Sequence, residues 1–186
     1  MGELKSAWEI AQERANRLGK LSAEEEEEQA RQRCDQIGQV LAQKWLDGSQ
    51  ELDISAELNK HNEEERDIIK QAIIEHLAEA IEFTATQNIN RMKQAIEGIG
   101  SLGPELLPKA EEIGKLVQEY EGVEQKIRQE LESDYGETLH QLRISGTAVD
   151  AVNIEATPEW QPARQELIEV FTPRLNGLRQ GLMKNS

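Results

Sequence analysis

Cysteine occurs once, at Cys34, so no internal disulfide framework holds this chain together, and a single thiol says little about redox compartment. Aromatic residues are scarce as well, 4% of the chain, and much of the 37% hydrophobic fraction is alanine. That composition argues for thin layers of helices over a thick globular core. No apolar run approaches the roughly 20 residues of a membrane-spanning helix. The N-terminus lacks the apolar centre of a secretory signal. Met1-Gly2-Glu3-Leu4-Lys5-Ser6 fits a loose myristoylation pattern. Leu4 and Trp8 fit a helix better, however, and an acidic surface opposes anchoring.

Positive charge is the other shortage. Against 36 acids stand 21 lysines and arginines, for a formal charge of −15, and the bases form no stripe. A phosphate-neutralising surface is therefore not expected, which argues against nucleic acid. An anionic membrane repels the same surface. The expected location is the cytoplasm, and protein partners or self-association are what remain. No P-loop, nucleophile elbow or zinc-ligand spacing is present, so no cofactor and no catalytic residue is assigned.

What the chain does carry is helical periodicity. From Glu105 to Ile144, apolar residues fall at Ile113, Val117, Tyr120, Ile127, Leu131, Tyr135, Leu139 and Leu142, mostly three or four apart. One charge-coated helix of about 60 Å follows from that spacing. A rod of that length needs partners along it. Gly114, Gly122 and Gly136 inside it each cost about 1 kcal/mol relative to Ala.

The N-terminal part reads as two helices. Leu4, Trp8, Ala11, Ala15 and Leu18 form a coiled-coil-like seam closed by Gly19. Ser22 and Glu25 make a capping box for the next helix, which continues through Ala30, Cys34, Ile37, Leu41 and Trp45 to Gly48. The acids Glu24 to Glu28 read as a solvated first turn that complements the helix dipole. Cys34, lying in the apolar stripe, reads as a buried structural thiol.

A short turn of helix is expected around Ser55 to Lys60, after which Asn62 caps a third helix through Ile69, Ile73, Leu77 and Ile81 to Ile99. Its polar middle, Thr84 to Asn90, is a poor helix former and reads as exposed or kinked. Residues 98–103, Gly-Ile-Gly-Ser-Leu-Gly, match the dinucleotide-binding spacing. A helix precedes them and no strand is visible, so they read as a helix–helix turn. A turn this short makes 62–100 and 105–144 antiparallel neighbours.

Ser145 to Gln161 does not read as helix, and Trp160 is its expected anchor. Thr157-Pro158 begins a last helix carrying Ile168, Phe171, Leu175, Leu178 and Leu182, which Pro173 should kink or divide. Trp160, Phe171, Leu175, Leu178 and Leu182 are the candidate partner-binding residues, because this portion is the least acidic and the densest in large apolar side chains. For metal, Glu137 and His140 are one Glu-x-x-His unit, the unit that di-iron bundles use twice. A second copy is missing: neither His61 nor His76 has an acid three residues before it.

The expected architecture is an elongated all-α bundle of about five main helices in a single domain, 1–186. It comprises N-terminal helices (1–60), a long antiparallel hairpin (62–144), an irregular connection (145–161) and a C-terminal helix (158–183). The function it implies is a non-enzymatic structural, adaptor or assembly role exercised through helix–helix contacts, with a homodimer favoured. The alternatives are an acidic chaperone-like protein shielding an apolar client, and a carboxylate-rich metal-binding bundle.

Overall fold

Side-chain caps set most of the helix starts in the computed structural model, which describes residues 22–48, 52–84, 88–142 and 153–183. The seam expected at Leu4 to Leu18, and most of the irregular connection, lie outside the described residues. Helix α1, Ala23–Leu46, opens with the capping box: Ser22 Oγ accepts from the Glu25 amide at 3.2 Å, and Glu25 Oε2 accepts from the Ser22 amide at 2.7 Å. It ends before Gly48, whose φ of +77° is the left-handed backbone that glycine adopts without strain. Asp53 caps the short α2, Ile54–Leu58. Asn62 and Glu65 form a second capping box at the start of α3, Glu63–Glu79.

The third helix does not run on to Ile99. It stops at Glu79, and a new helix, α4, Ile89–Ser101, starts under an Asn88 cap. Between them the chain leaves helical geometry and buries alternate residues: Ile81 and Phe83 point into the core while Glu82 is exposed. Helix α5, Leu107–Gln141, starts with proline at 108, where a missing amide costs nothing. A single 3-10 turn, Ile154–Ala156, buries Ile154 and precedes α6, Trp160–Met183. Helix α6 runs unbroken through Pro173, against expectation. Pro173 and Glu169, whose carbonyl loses its donor, both lie on the exposed side, where water can replace the lost bond. Phe171 and Leu175 stay buried on either side. Among the described residues there is no strand, and the protein is an all-helical bundle.

Two close approaches organise the first half. A Cβ built on Gly38 would lie 2.5 Å from the Ala72 Cβ and 2.7 Å from the Ile69 carbonyl oxygen, so α1 and α3 touch backbone to backbone. On α4, Gly98 makes room for the Trp45 indole, whose Nε1 donates to the Gln94 carbonyl at 2.7 Å. The glycines at 98 and 100 thus have packing neighbours within the bundle, and Gly103 lies against the Glu105 carboxylate in the turn.

The long helix has two mates. Gly100 faces Leu107 and Ala110, Ile96 faces Gly114, and Lys93 pairs with Glu121, so α4 runs antiparallel to the first half of α5. The C-terminal helix does more. Contacts step from Tyr135–Glu159 through Arg128–Trp160, Arg164–Glu124 and Arg174–Glu119 to Lys109–Gly181, an antiparallel pairing along almost the whole of α5. The full-length mate of the long helix is therefore α6, because the expected first arm, 62–100, is broken after Glu79 and only the 13-residue α4 remains as helix beside it. All buried residues of α5 lie between Ala110 and Tyr120. Past that point Val123 and Ile127 are only partly covered.

One apolar core runs from Cys34 to Leu182. At its centre the rings of Phe83 and Tyr120 stack at 4.4 Å, with Phe171 edge-on to both at 6.0 and 5.5 Å. Replacing Phe83 with Ala is expected to cost about 3–5 kcal/mol in denaturant unfolding. Gly38→Ala should destabilise by about 1–3 kcal/mol through overpacking. Gly122→Ala and Gly136→Ala, where no atom lies within 4 Å of the added Cβ, should each stabilise by about 0.5–1 kcal/mol. Equal effects at all three glycines would contradict the close α1–α3 approach.

Candidate functional site

The apolar residues singled out for partner binding are placed inside the chain's own core. Trp160, Phe171, Leu175 and Leu182 are buried, and Leu178 is partly covered against the same cluster. Their seam packs on α5 and on Phe83, so the area counted as free from periodicity is already covered. Helical periodicity reports that a face is buried and does not report by what.

Glu137 and His140 sit together, as their i,i+3 spacing requires, both exposed beside Gly136 and Gln141. Two donors on an open helix surface make half of a metal site. Among the described residues, no group of three or more His, Cys, Asp or Glu side chains is placed to hold a metal ion. His61, in the link before α3, lies 3.6 Å from Glu65 on α3, and His76 lies 3.7 Å from Glu79 on the same helix. Cys34 is a free, buried thiol; burial first, and Glu65 second, raise its pKa.

Charged side chains do their visible work at helix contacts. Arg174 clasps Glu119 with two bonds of 2.9 and 2.7 Å while lying over the Phe171 ring. Arg128 holds Glu155 at 2.8 Å and covers Trp160. Lys70 holds Glu105 at 2.6 Å, fixing the turn before α5 to α3. These bonds hold the carboxyls of Glu119, Glu155 and Glu105 below the usual carboxylate range, chiefly by donation from Arg174, Arg128 and Lys70. Glu159 accepts from the Tyr135 hydroxyl, and that bond raises the Tyr135 pKa.

Two larger concave surfaces lie elsewhere on the described residues. A cleft of about 750 Å³ crosses α3 from Arg31 and Asp35 on α1 to Glu105 beyond it, with charges of both signs along its edges. The second is a groove of about 630 Å³ between α4 and α5. Its floor is Ile96, Gly100, Ala110 and Gly114, and Leu107, 48% exposed, stands at one end. Glu97, Glu111, Lys115 and Gln118 rim it. Small floor residues and an exposed leucine make this a place where a helix-sized apolar surface can approach closely. The sequence reading missed the groove, although Ala110 and Gly114 at i,i+4 and Gly100 across the turn were its visible signal. Among the described residues no polar or charged residue is buried, and no helix is long and apolar enough to cross a membrane.

A family model matches residues 55–183: a family of unknown function (DUF6657). The matched span takes in nearly all of α2 and everything through α6, and leaves α1 outside it. No curated protein and no solved structure matches the chain.

The depressed carboxyls give a pH dependence of definite sign. A carboxyl whose pKa is lower in the folded chain stabilises above the usual carboxylate range, and that contribution is lost as pH falls through the depressed value. Arg174→Gln should therefore raise the Glu119 pKa toward its ordinary value and flatten the loss of stability on acidification. Carboxyl-carbon NMR titration checks the first effect and acid unfolding the second; an unmoved Glu119 would contradict the clasp.

Proposed function

The chain belongs to this family, whose function is unknown, and we propose that it acts without catalysis, as a cytoplasmic adaptor or assembly protein working through helix–helix contacts with protein partners. The observation that carries the reading is the α4–α5 groove. It combines an apolar floor, small residues at its centre and a half-exposed leucine at its end. Partner helices recognised in grooves bring apolar anchors at i, i+3, i+4 and i+7 to such a surface.

Two further features support it. Catalytic acids, bases and nucleophiles are tuned by desolvation and by fixed neighbours. Here the depressed carboxyls of Glu119, Glu155 and Glu105 belong to ion pairs that tie elements of the bundle together, and burial pushes the Cys34 thiol up, away from the thiolate a nucleophile needs. The charge of −15 keeps most of the surface solvated and mutually repelling. Contact is then directed to the few places where apolar area and opposite charge are left uncovered.

The test places a carboxylate in the groove. Leu107→Glu and Gly114→Glu should leave helicity unchanged, since Leu107 is already half exposed and a Cβ on Gly114 meets only the Ile96 side chain, at 3.8 Å. Proteins captured by the full chain from cell extract should be lost about tenfold from both variants, the usual scale for an apolar interface anchor. They should be retained by Gly136→Glu, which alters the far end of α5. Equal capture by all of them would exclude the groove as the contacting face.

A further inference from the structure

We propose that the occupant of the α4–α5 groove is the same groove of a second copy of this chain, with the two α5 helices crossing antiparallel about a two-fold axis at the level of Glu111 and Lys115. The inference rests on the groove being a contact face and adds what fills it.

Charge is the first argument. Glu111 and Lys115 both line the groove and both are exposed. They stand one turn apart in the order that favours an i,i+4 ion pair. Even so, neither makes an ion pair with a described residue, whereas the neighbouring Lys93–Glu121 and Arg174–Glu119 pairs are made. An antiparallel two-fold crossing sets Glu111 of each copy against Lys115 of the other, so one unpaired couple becomes two by symmetry. Two chains of charge −15 repel overall. A face on which an unpaired base and an unpaired acid stand together is where such chains can meet.

Shape is the second argument. Gly114 sits at the crossing level, and nothing but the Ile96 side chain lies within 4 Å of a Cβ built there. A second backbone can therefore approach closely. In the same register Leu107 of each copy comes level with Gln118 of the other, so the half-exposed leucine gains cover from a methylene stem. Leu107, Glu111, Gly114 and Gln118 follow the spacing of four, three and four that an antiparallel helix seam requires.

Sedimentation velocity of the full chain, across a wide concentration range, gives the readout. Wild type should form a dimer. Glu111→Lys and Lys115→Glu, each placing like charges opposite one another, should raise its dissociation constant about tenfold or more. The double reversal, Glu111→Lys with Lys115→Glu, should restore it, which no loss of folding can imitate. A monomer at every concentration overturns the second-copy proposal and leaves the groove to the capture experiment. A dimer indifferent to the charge reversals but abolished by Gly114→Glu overturns this register while keeping the groove. A dimer indifferent to Gly114→Glu as well overturns both.

Discussion

The stack of Phe83 on Tyr120, with Phe171 edge-on to both rings, is the contact on which the rest of the bundle depends. Each ring comes from a different element: the non-helical link after α3, the buried first half of α5, and the middle of α6. The chain has two phenylalanines and two tyrosines in all, and three of these four side chains meet here. Without the link, Phe83 would sit on a helix face set by α3. Leaving helical geometry after Ala80 lets Ile81 and Phe83, two residues apart, both point inward. The break in the third helix is thus a consequence of filling the core. It is also why α4 is short and why α6 is left as the mate of the long helix.

From this centre the α5–α6 pair extends past the main core in a thin two-helix layer. No residue of α5 beyond Tyr120 is buried. Apolar area alone does not hold this end. The side chains that bridge it are long and amphipathic: Arg128 lies over Trp160 while holding Glu155, and Arg164 reaches Glu124 at 2.9 Å. Stems cover the apolar stripe and heads pair across the surface, which suits a chain rich in charge and poor in large hydrophobic residues. Each exposed pair is weak, and salt and acid weaken it further. The layer therefore relies on the pairs acting together along one antiparallel contact, anchored at one end by the aromatic centre and at the other by Trp160.

Much of this was legible in the chain, and the parts that were not share a cause. Ser22 with Glu25 and Asn62 with Glu65 marked helix starts because capping is a local interaction between residues three apart. The glycine that follows the end of α1, Gly48, is a local signal in the same way. The polar run from Thr84 to Asn90 marked a weak point but not a terminus, since Ile81 and Phe83 continue the apolar count of α3 while serving the core from a non-helical link. Pro173 misled in the opposite direction: the cost of a proline depends on whether its side of the helix is buried, and here it is exposed. Pairing was the hardest to foresee. The glycine-rich turn pointed to the whole of 62–100 as the antiparallel neighbour of 105–144; only its last part, α4, lies beside α5, and nothing local indicates that α6 returns along the helix.

Most of the large apolar residues of the C-terminal helix are spent inside the fold. Density of large apolar residues singled out Trp160, Phe171, Leu175, Leu178 and Leu182, and in a bundle this short of hydrophobic area such residues are the ones the fold itself needs. A protein with a thin core consumes its best anchors internally, so surface left for others has to come from small residues, where two helices are close and the outer face between them is shallow. Gly100, Ala110 and Gly114 are such positions. Glycine inside a helix lowers stability, and at Gly38 and Gly98 a tight neighbour accounts for it. At Gly114 the neighbour within this chain is an ordinary contact at 3.8 Å, so the fold alone does not demand glycine there. Under the proposed pairing, a second helix backbone laid along the groove would.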